Sequence, residues 1–290
     1  MSAALTLQAP AKVNLYLAVG AKGPGGLHRV ESLVQPVDLC DTLTFARRPG
    51  ALELRCSRPE LEGPGNLVCR AWELLRRRCP GLGGALVTLE KRIPAQAGMG
   101  GGSADCAAAL RGFNRLYGLG LGLPELAELG AALGSDVPAC LVPHPTLGLG
   151  SGTRLRHLPS ALESWLVVLA PGLGFSTAEM YARADRMPPG RVPPGAEAAV
   201  CALAAGDLPA LCRALYNRFE ETAPRQEVIA GLRHALLEQG ALGAMMTGSG
   251  SCVYGLFAGE AAARRAGAAL AGRHTAFVCR MLNRWENRDV

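Results

Sequence analysis

The sequence predicts an α+β protein of two domains, residues 1–152 and 153–290. Three observations predict it. A β-branched run, Leu86-Val87-Thr88-Leu89, leads through Gly98-Met99-Gly100-Gly101-Gly102 into a helical pattern from Cys106 to Tyr117. In the second half, helical patterns and short apolar runs alternate with no internal repeat. The stretch from Pro143 to Pro159 breaks the periodicity between them.

The elements follow in order. Residues 4–19 read as two apolar strands with a turn at Pro10, Gly23 to Gly26 as a turn, His28 to Asp38 as a strand and 42–57 as a hairpin. A helix spans 66–79, a strand 85–93 and the glycine-loop helix 103–117. Another helix runs from Pro124 to Leu133, with proline in its first turn and Gly134 behind it. Trp165 to Ala170 has the pattern of a buried strand, and Ser176 caps a helix ending at Arg186. The Pro/Gly-rich Met187 to Gly195 is a loop. Helices are expected at 196–204, 207–221 and 224–238. Strands Gly243 to Met246 and Cys252 to Phe257 flank Thr247-Gly248-Ser249-Gly250-Ser251. A helix from Gly259 to Ala271 and a strand from Thr275 to Arg280 complete the series.

The 290 residues are 49% apolar, enough for a sizeable core, and carry a net charge of +6. That mild excess suits small anions and lacks the basic stripe of a nucleic-acid binder. Arg76-Arg77-Arg78 ends a helical pattern, where cations complement the helix dipole. Ten scattered cysteines form no C-x-x-C pair, which favours free thiols in a reducing cytoplasm. No signal peptide and no membrane-length apolar run is evident, so a cytoplasmic protein, monomer or homodimer, is expected. Only three lysines (Lys12, Lys22, Lys91) stand against 27 arginines, so a retained lysine invites a chemical reason.

The strand, glycine loop and helix make an anion site. Glycine lets the backbone approach a ligand, and the first N–H groups of the helix are unpartnered and electropositive. No lysine follows Gly102, so this is no Walker A loop, and the spacing departs from the dinucleotide fingerprint. Ser103 adds a hydroxyl able to cap the helix or touch a phosphate or its metal. Lys12 and Asn14 share one face of an apolar strand. Such a lysine is either an edge-strand charge or a paired functional group. Asp136, in Gly134-Ser135-Asp136-Val137-Pro138, is either a turn former or a general base kept ionised by a cation. Thr247 to Ser251 reads as a tight hairpin or a second backbone platform against a ligand. Lys91 ends the strand before the glycine loop, where nucleotide and solvent are both in reach; the surface is the preferred placement.

In this order, Pro10 to Leu17, Ile93 to Asp105 and Met246 to Ser251 resemble the three motifs of the GHMP kinases. The resemblance implies an N-terminal domain like ribosomal protein S5 domain 2 and a ferredoxin-like C-terminal domain. It implies ATP with Mg²⁺, held by Asn66, Pro94, Gly98, Met99, Gly100, Gly101, Gly102 and Ser103, with Ser103 touching the metal. By the same resemblance Lys12 and Asp136 are catalytic, and Asn14, His28 and Thr177 bind substrate. Gly134 to Pro138 and Pro171 to Tyr181 are similar to the branch that phosphorylates a cytidylyl-methylerythritol alcohol for isoprenoid synthesis. The alternatives are another GHMP alcohol kinase and a catalytically silent nucleotide-binding relative. Three departures stand out. Gly25-Gly26-Leu27-His28 has leucine where the branch usually has tyrosine facing the cytosine. Arg218 in Asn217-Arg218-Phe219-Glu220 replaces an acid and is expected on a helix surface, and His144-Pro145 replaces a glycine-rich turn.

Overall fold

The computed structural model describes residues 4–23, 25–152, 154–188 and 195–283. The chain opens with two long antiparallel strands, β1 (Leu5–Lys22) and β2 (His28–Arg48), with Leu5 opposite Phe45 and Lys22 opposite His28. The turn expected at Pro10 does not form. Pro10 pairs with Cys40 inside the strand, and the register shifts between Pro10 and Lys12. Such an irregularity accommodates a residue with no N–H to give the ladder. Beyond it the Lys12 N–H leaves the ladder and donates to the Met99 carbonyl of the glycine loop at 3.0 Å.

The hairpin expected over 42–57 is also replaced. Residues 42–48 continue β2, whose free side there is taken by β4 (Gly84–Glu90). The short β3 (Glu53–Cys56) lies parallel to β4 on its far side, reached across helix α1 (Leu67–Arg78). Helices α2 (Gly101–Tyr117), α3 (Leu123–Leu133) and a short α4 (Val137–Leu141) follow. α2 packs onto the sheet so closely that a Cβ at Gly112 would run into the Phe45 ring, which also meets Phe113 edge-on.

Two strands not foreseen, β5 (Thr146–Gly150) and β6 (Arg154–His157), extend this first sheet, β5 pairing with residues 30–34 of β2. The expected division at 152/153 falls between these two strands; residues 158–164 carry the chain to the second sheet. That sheet begins with β7 (Trp165–Ala170). Helices α5 (Thr177–Arg186), α6 (Glu197–Ala205) and α7 (Leu208–Ala214) come next. The helix expected over 207–221 is interrupted by β8 (Tyr216–Asn217), which returns to the first sheet parallel to β1, before α8 (Arg218–Thr222). Asn217 causes the break. Its side chain accepts from Phe219 N–H to start α8 and donates to the carbonyls of Met246 and Gly248.

Helix α9 (Gln226–Glu238), strands β9 (Gly243–Met246) and β10 (Val253–Phe257), helix α10 (Glu260–Ala271) and β11 (Thr275–Arg280) complete the fold. The second sheet is antiparallel throughout, in the order β11-β7-β10-β9. The architecture is the α+β one expected. Of the loop expected at Met187 to Gly195, residues 189–194 lie outside the described residues, as does Pro24 of the turn before β2. One apolar core runs through both halves, joining Val13, Leu15 and Leu33 of the first sheet to Leu166, Val168 and Tyr254 of the second.

Candidate active site

The glycine loop is held from three directions. Its Gly98 carbonyl accepts from Lys12 Nζ (3.1 Å) and from Thr247 Oγ1 (3.3 Å). The Ala97 carbonyl accepts from Cys252 N–H at 3.1 Å. The β9–β10 hairpin is therefore both a tight turn and a backbone platform against the loop. Gly98 and Gly100 take φ of +78° and +70°, and Gly100 starts α2 in the left-handed region open to glycine. Gly98, Gly100, Gly101, Gly102, Ser103 and Pro94 all line one cleft. Met99 is turned the other way, its side chain 1% exposed in the core.

Lys12 is no edge-strand charge. It is buried and makes three polar contacts, with Asn14 Oδ1 at 2.7 Å, the Gly98 carbonyl and Asp136 Oδ2 at 3.4 Å. Those partners offset the cost of burying an ammonium. Asn14 is fixed in turn by donating to Ser32 Oγ at 2.8 Å. Asp136 sits at the start of α4 without capping it, so its carboxylate is free of the turn-forming duty that its neighbours suggested. Its side chain is 48% exposed, lines the cleft and points its charge at Lys12. A carboxylate, an ammonium and a phosphate-type loop thus share one wall. The arrangement suits transfer of an anionic group to a hydroxyl.

Asn66 also lines the cleft, at the start of α1. Its amide is engaged locally, accepting from Val68 N–H and donating to the Leu61 carbonyl, both at 2.9 Å. Thr177 opens α5, also lines the cleft and meets Ser249 Oγ of the hairpin at 3.1 Å. His28 is not part of the cleft wall. It stacks on Tyr181, which is (ring centroids 4.7 Å), and contacts Asp185 Oδ1 at 2.6 Å; Lys22 holds the other carboxylate oxygen. Burial, then the Asp136 charge, pushes the Tyr181 hydroxyl above the ordinary tyrosine range. Leu27 is 65% exposed and takes no part.

Ser103 is the cleft hydroxyl nearest in sequence to the phosphate loop, and among the described residues no group of three or more His, Cys, Asp or Glu forms a metal cage. The Ser103 hydroxyl, in the first turn of α2, is the kind of single oxygen donor that fits Mg²⁺, which keeps water and substrate phosphate ligands and takes few from protein.

Two charged residues lie where sequence reasoning did not put them. The Lys91 side chain is 5% exposed, not on the surface. It contacts Asp41 of β2 and Asp105 of α2, the latter at 2.6 Å. Burial pulls the Lys91 ammonium down, but the two carboxylates outweigh it and raise it overall. Asp105 is pushed up to about 7 by burial, against the pull of Lys91. Arg218 is likewise buried rather than on a helix surface. It bonds Glu221 at 2.8 Å and the carbonyls of Ala184 and Met187. The scarcity of lysine was the usable signal: each of the three is ion-paired, Lys12 with Asp136, Lys22 with Asp185 and Lys91 with its two aspartates. Tyr181 was visible only as the end of a motif.

The chain is similar to known proteins along most of its length. Residues 66–144 match the GHMP kinases N terminal domain and residues 199–274 the GHMP kinases C terminal. The chain is 42% identical over 264 residues to 4-diphosphocytidyl-2-C-methyl-D-erythritol kinase of Synechococcus sp. (strain JA-3-3Ab), covering 88% of this chain and 85% of that one. It is 42% identical over 267 residues to the enzyme of the same name from Moorella thermoacetica, covering 90% and 93%. A crystal structure of 4-(cytidine 5'-diphospho)-2C-methyl-D-erythritol kinase superposes with a TM-score of 0.81 at 34% identity, covering 96% of this chain and 99% of that one. Matches of this strength through both halves place the chain among the GHMP kinases, in the branch of the 4-diphosphocytidyl-2-C-methyl-D-erythritol kinases.

Proposed function

We propose that the chain transfers the γ-phosphoryl group of ATP to the 2-hydroxyl of 4-diphosphocytidyl-2-C-methyl-D-erythritol. The observation that carries the chemistry is the Lys12–Asp136 pair beside the glycine loop; relatives of that name, 42% identical, supply the substrate. Asp136 accepts the proton of the alcohol as its oxygen bonds to the γ-phosphorus, and the bond to the ADP oxygen breaks. Lys12 pairs with Asp136 and faces the charge that develops on the transferring group. Asn14 holds the ammonium in place. The N–H groups of residues 98–103 cradle the phosphates, so positioning and electrostatics do most of the work. Ser103 would help hold a bound Mg²⁺, which would supply positive charge against the phosphates.

Asn66, Pro94 and the backbone of Met99 complete the nucleotide side, and Thr177 and His28 the alcohol side. Tyr181, stacked with His28 and edge-on to Phe219, offers the aromatic face that Leu27 does not. A silent relative is not favoured, because the base, its cation and the loop are all in place. The test is ADP release with Mg-ATP and this alcohol against homoserine, mevalonate and galactose. Turnover confined to the cytidylyl alcohol is expected. Turnover on another alcohol alone would overturn the substrate, and nucleotide binding without turnover on any would overturn the kinase reading.

A further inference from the structure

The glycine loop leaves one strand end and returns to a helix, and a buried ion pair joins those two ends. Lys91 directly follows β4, Asp105 lies in the second turn of α2, and their charged atoms are 2.6 Å apart across fourteen residues of chain. Asp41 of β2 anchors the pair. Its Oδ2 contacts Lys91, and its Oδ1 accepts from the N–H groups of Arg92 (2.5 Å) and Ile93 (2.9 Å), the first residues of the outgoing loop. The first helical residue rests on this assembly: a Cβ at Gly101 would lie 3.0 Å from Ile93 Cγ2 and 3.4 Å from Lys91 Nζ. Lys91, Asp41 and Asp105 have side chains no more than 5% exposed, yet Lys91 and Asp105 edge the nucleotide end of the cleft.

A segment this rich in glycine has many conformations to lose on binding a phosphate. Fixing its ends before the ligand arrives removes part of that cost. Hydrogen bonds from Lys12, Thr247 and Cys252 fix residues 97–99 and the Lys12 stem packs against Gly100, short of the turn of α2 that Asp105 occupies. We propose that Lys91 and Asp105 are positioning residues that staple the phosphate loop shut at its base, so that the first N–H groups of α2 are aimed at the nucleotide. The inference rests on the ATP-binding reading above.

The test separates loop positioning from plain stability. Asp105→Ala removes the staple but leaves Lys91 and Asp41 as a neutral buried pair. Dissociation constants for Mg-ADP are measured by calorimetry without the alcohol, with Tm and steady-state rates alongside. Asp105→Ala is expected to raise Kd for Mg-ADP and KM for ATP at least tenfold, with kcat and the KM for the alcohol within about threefold. Asp105→Asn, which keeps an acceptor for Lys91, is expected to recover most of the affinity. Unchanged Kd in Asp105→Ala would overturn the proposal, as would equal losses in kcat and both KM values. Wild-type protein that bound no nucleotide would sink the ATP reading, and this inference with it. Should Asp105→Ala not fold, amide exchange in Asp105→Asn carries the test. A neutral bond is a weaker staple than an ion pair, so exchange at residues 98–103 is expected to quicken while the second sheet stays unchanged. Identical exchange would overturn the proposal.

Discussion

Gly98 is pressed against the carbonyl of Thr247: a Cβ on Gly98 would lie 2.0 Å from that oxygen. The reverse approach is nearly as close, with a Cβ at Gly248 falling 2.5 Å from the Gly98 carbonyl. The loop of the first half and the hairpin of the second therefore meet backbone to backbone. No side chain fits between them, and φ is positive at both glycines. Two motifs 149 residues apart are in this way one structural unit.

This contact separates two kinds of glycine in the loop. Gly98→Ala must push apart two backbones and strain φ, so we expect a loss of about 4 kcal/mol or more, in the tail of single-substitution effects. A methyl added at Gly102 would have only Leu67 Cδ1 within 4 Å, at 3.8 Å, and the residue sits in the first turn of α2. Gly102→Ala is expected to hold or raise Tm, since alanine favours helix by about 0.5–1 kcal/mol, while raising KM for ATP where the methyl meets phosphate. Thermal melts and ATP titrations on both variants decide it. A stable Gly98→Ala protein would contradict the packing argument.

Thr247 joins three motifs through one hydroxyl. Fully buried, it accepts from Asn14 N–H at 3.0 Å and donates to the Gly98 carbonyl. Thr247→Val keeps the shape and removes both bonds. Gly98 still has Lys12 as a partner, but Asn14 N–H is left buried and unpaired, at a cost of about 1–3 kcal/mol. We expect a denaturant midpoint lowered accordingly, with an unchanged m-value. A midpoint equal to wild type would mean that water or a shifted backbone replaces the hydroxyl.

How much of this was readable follows from where each signal lies. The strand, glycine loop and helix announced themselves because Gly98 to Gly102 is dense and local, and Gly134 bounded the helix before it. Lys12, Asn14 and Asp136 were legible as motifs, though only the fold brings Asp136 to within 3.4 Å of Lys12. The misreadings share a cause. Pro10 looked like a turn because its bulge depends on the Met99 carbonyl, far along the chain. Residues 42–57 looked like a hairpin because nothing local says that β4 occupies the side of β2 that a returning strand would need. Lys91 looked exposed because its carboxylates are distant in sequence, and Arg218 because, Glu221 aside, its partners are main-chain carbonyls, which leave no trace in sequence.

Asp136 spends its charge on one contact, the 3.4 Å pair with buried Lys12. It caps nothing, its side chain is half exposed and asparagine keeps an oxygen for Lys12, so Asp136→Asn is expected to lower Tm only slightly. As the base for the alcohol proton it is expected to matter far more to rate: kcat should fall by about 10²–10⁴-fold, with KM for ATP little changed. Steady-state kinetics with saturating ATP measure this directly. Near-normal kcat would remove Asp136 from the proposed role and leave Lys12 as a structural cation only.

Arg218 is the substitution that the family pattern makes look harmless, and its contacts say otherwise. Its guanidinium ties α8 to the end of α5 through the carbonyls of Ala184 and Met187, and it pairs with Glu221. Arg183 of α5 returns the tie by donating to the Thr222 carbonyl at 2.6 Å. α5 carries Thr177 at its start and Tyr181 one turn on, so its placement sets the side of the cleft proposed to take the alcohol. Arg218→Met keeps the apolar stem but leaves these acceptors short of a donor, and we expect a loss of about 2–3 kcal/mol. KM for the alcohol should rise more than KM for ATP, because α5 carries Thr177 and Tyr181 while the glycine loop is held by Lys12, Thr247 and Cys252. Arg218→Asp is expected to be the worse variant. A short acceptor cannot bond two carbonyls, and it sets a second carboxylate beside Glu221. Melting curves and paired KM measurements test this; Arg218→Asp as stable as wild type would show that the guanidinium contacts contribute nothing to holding α5.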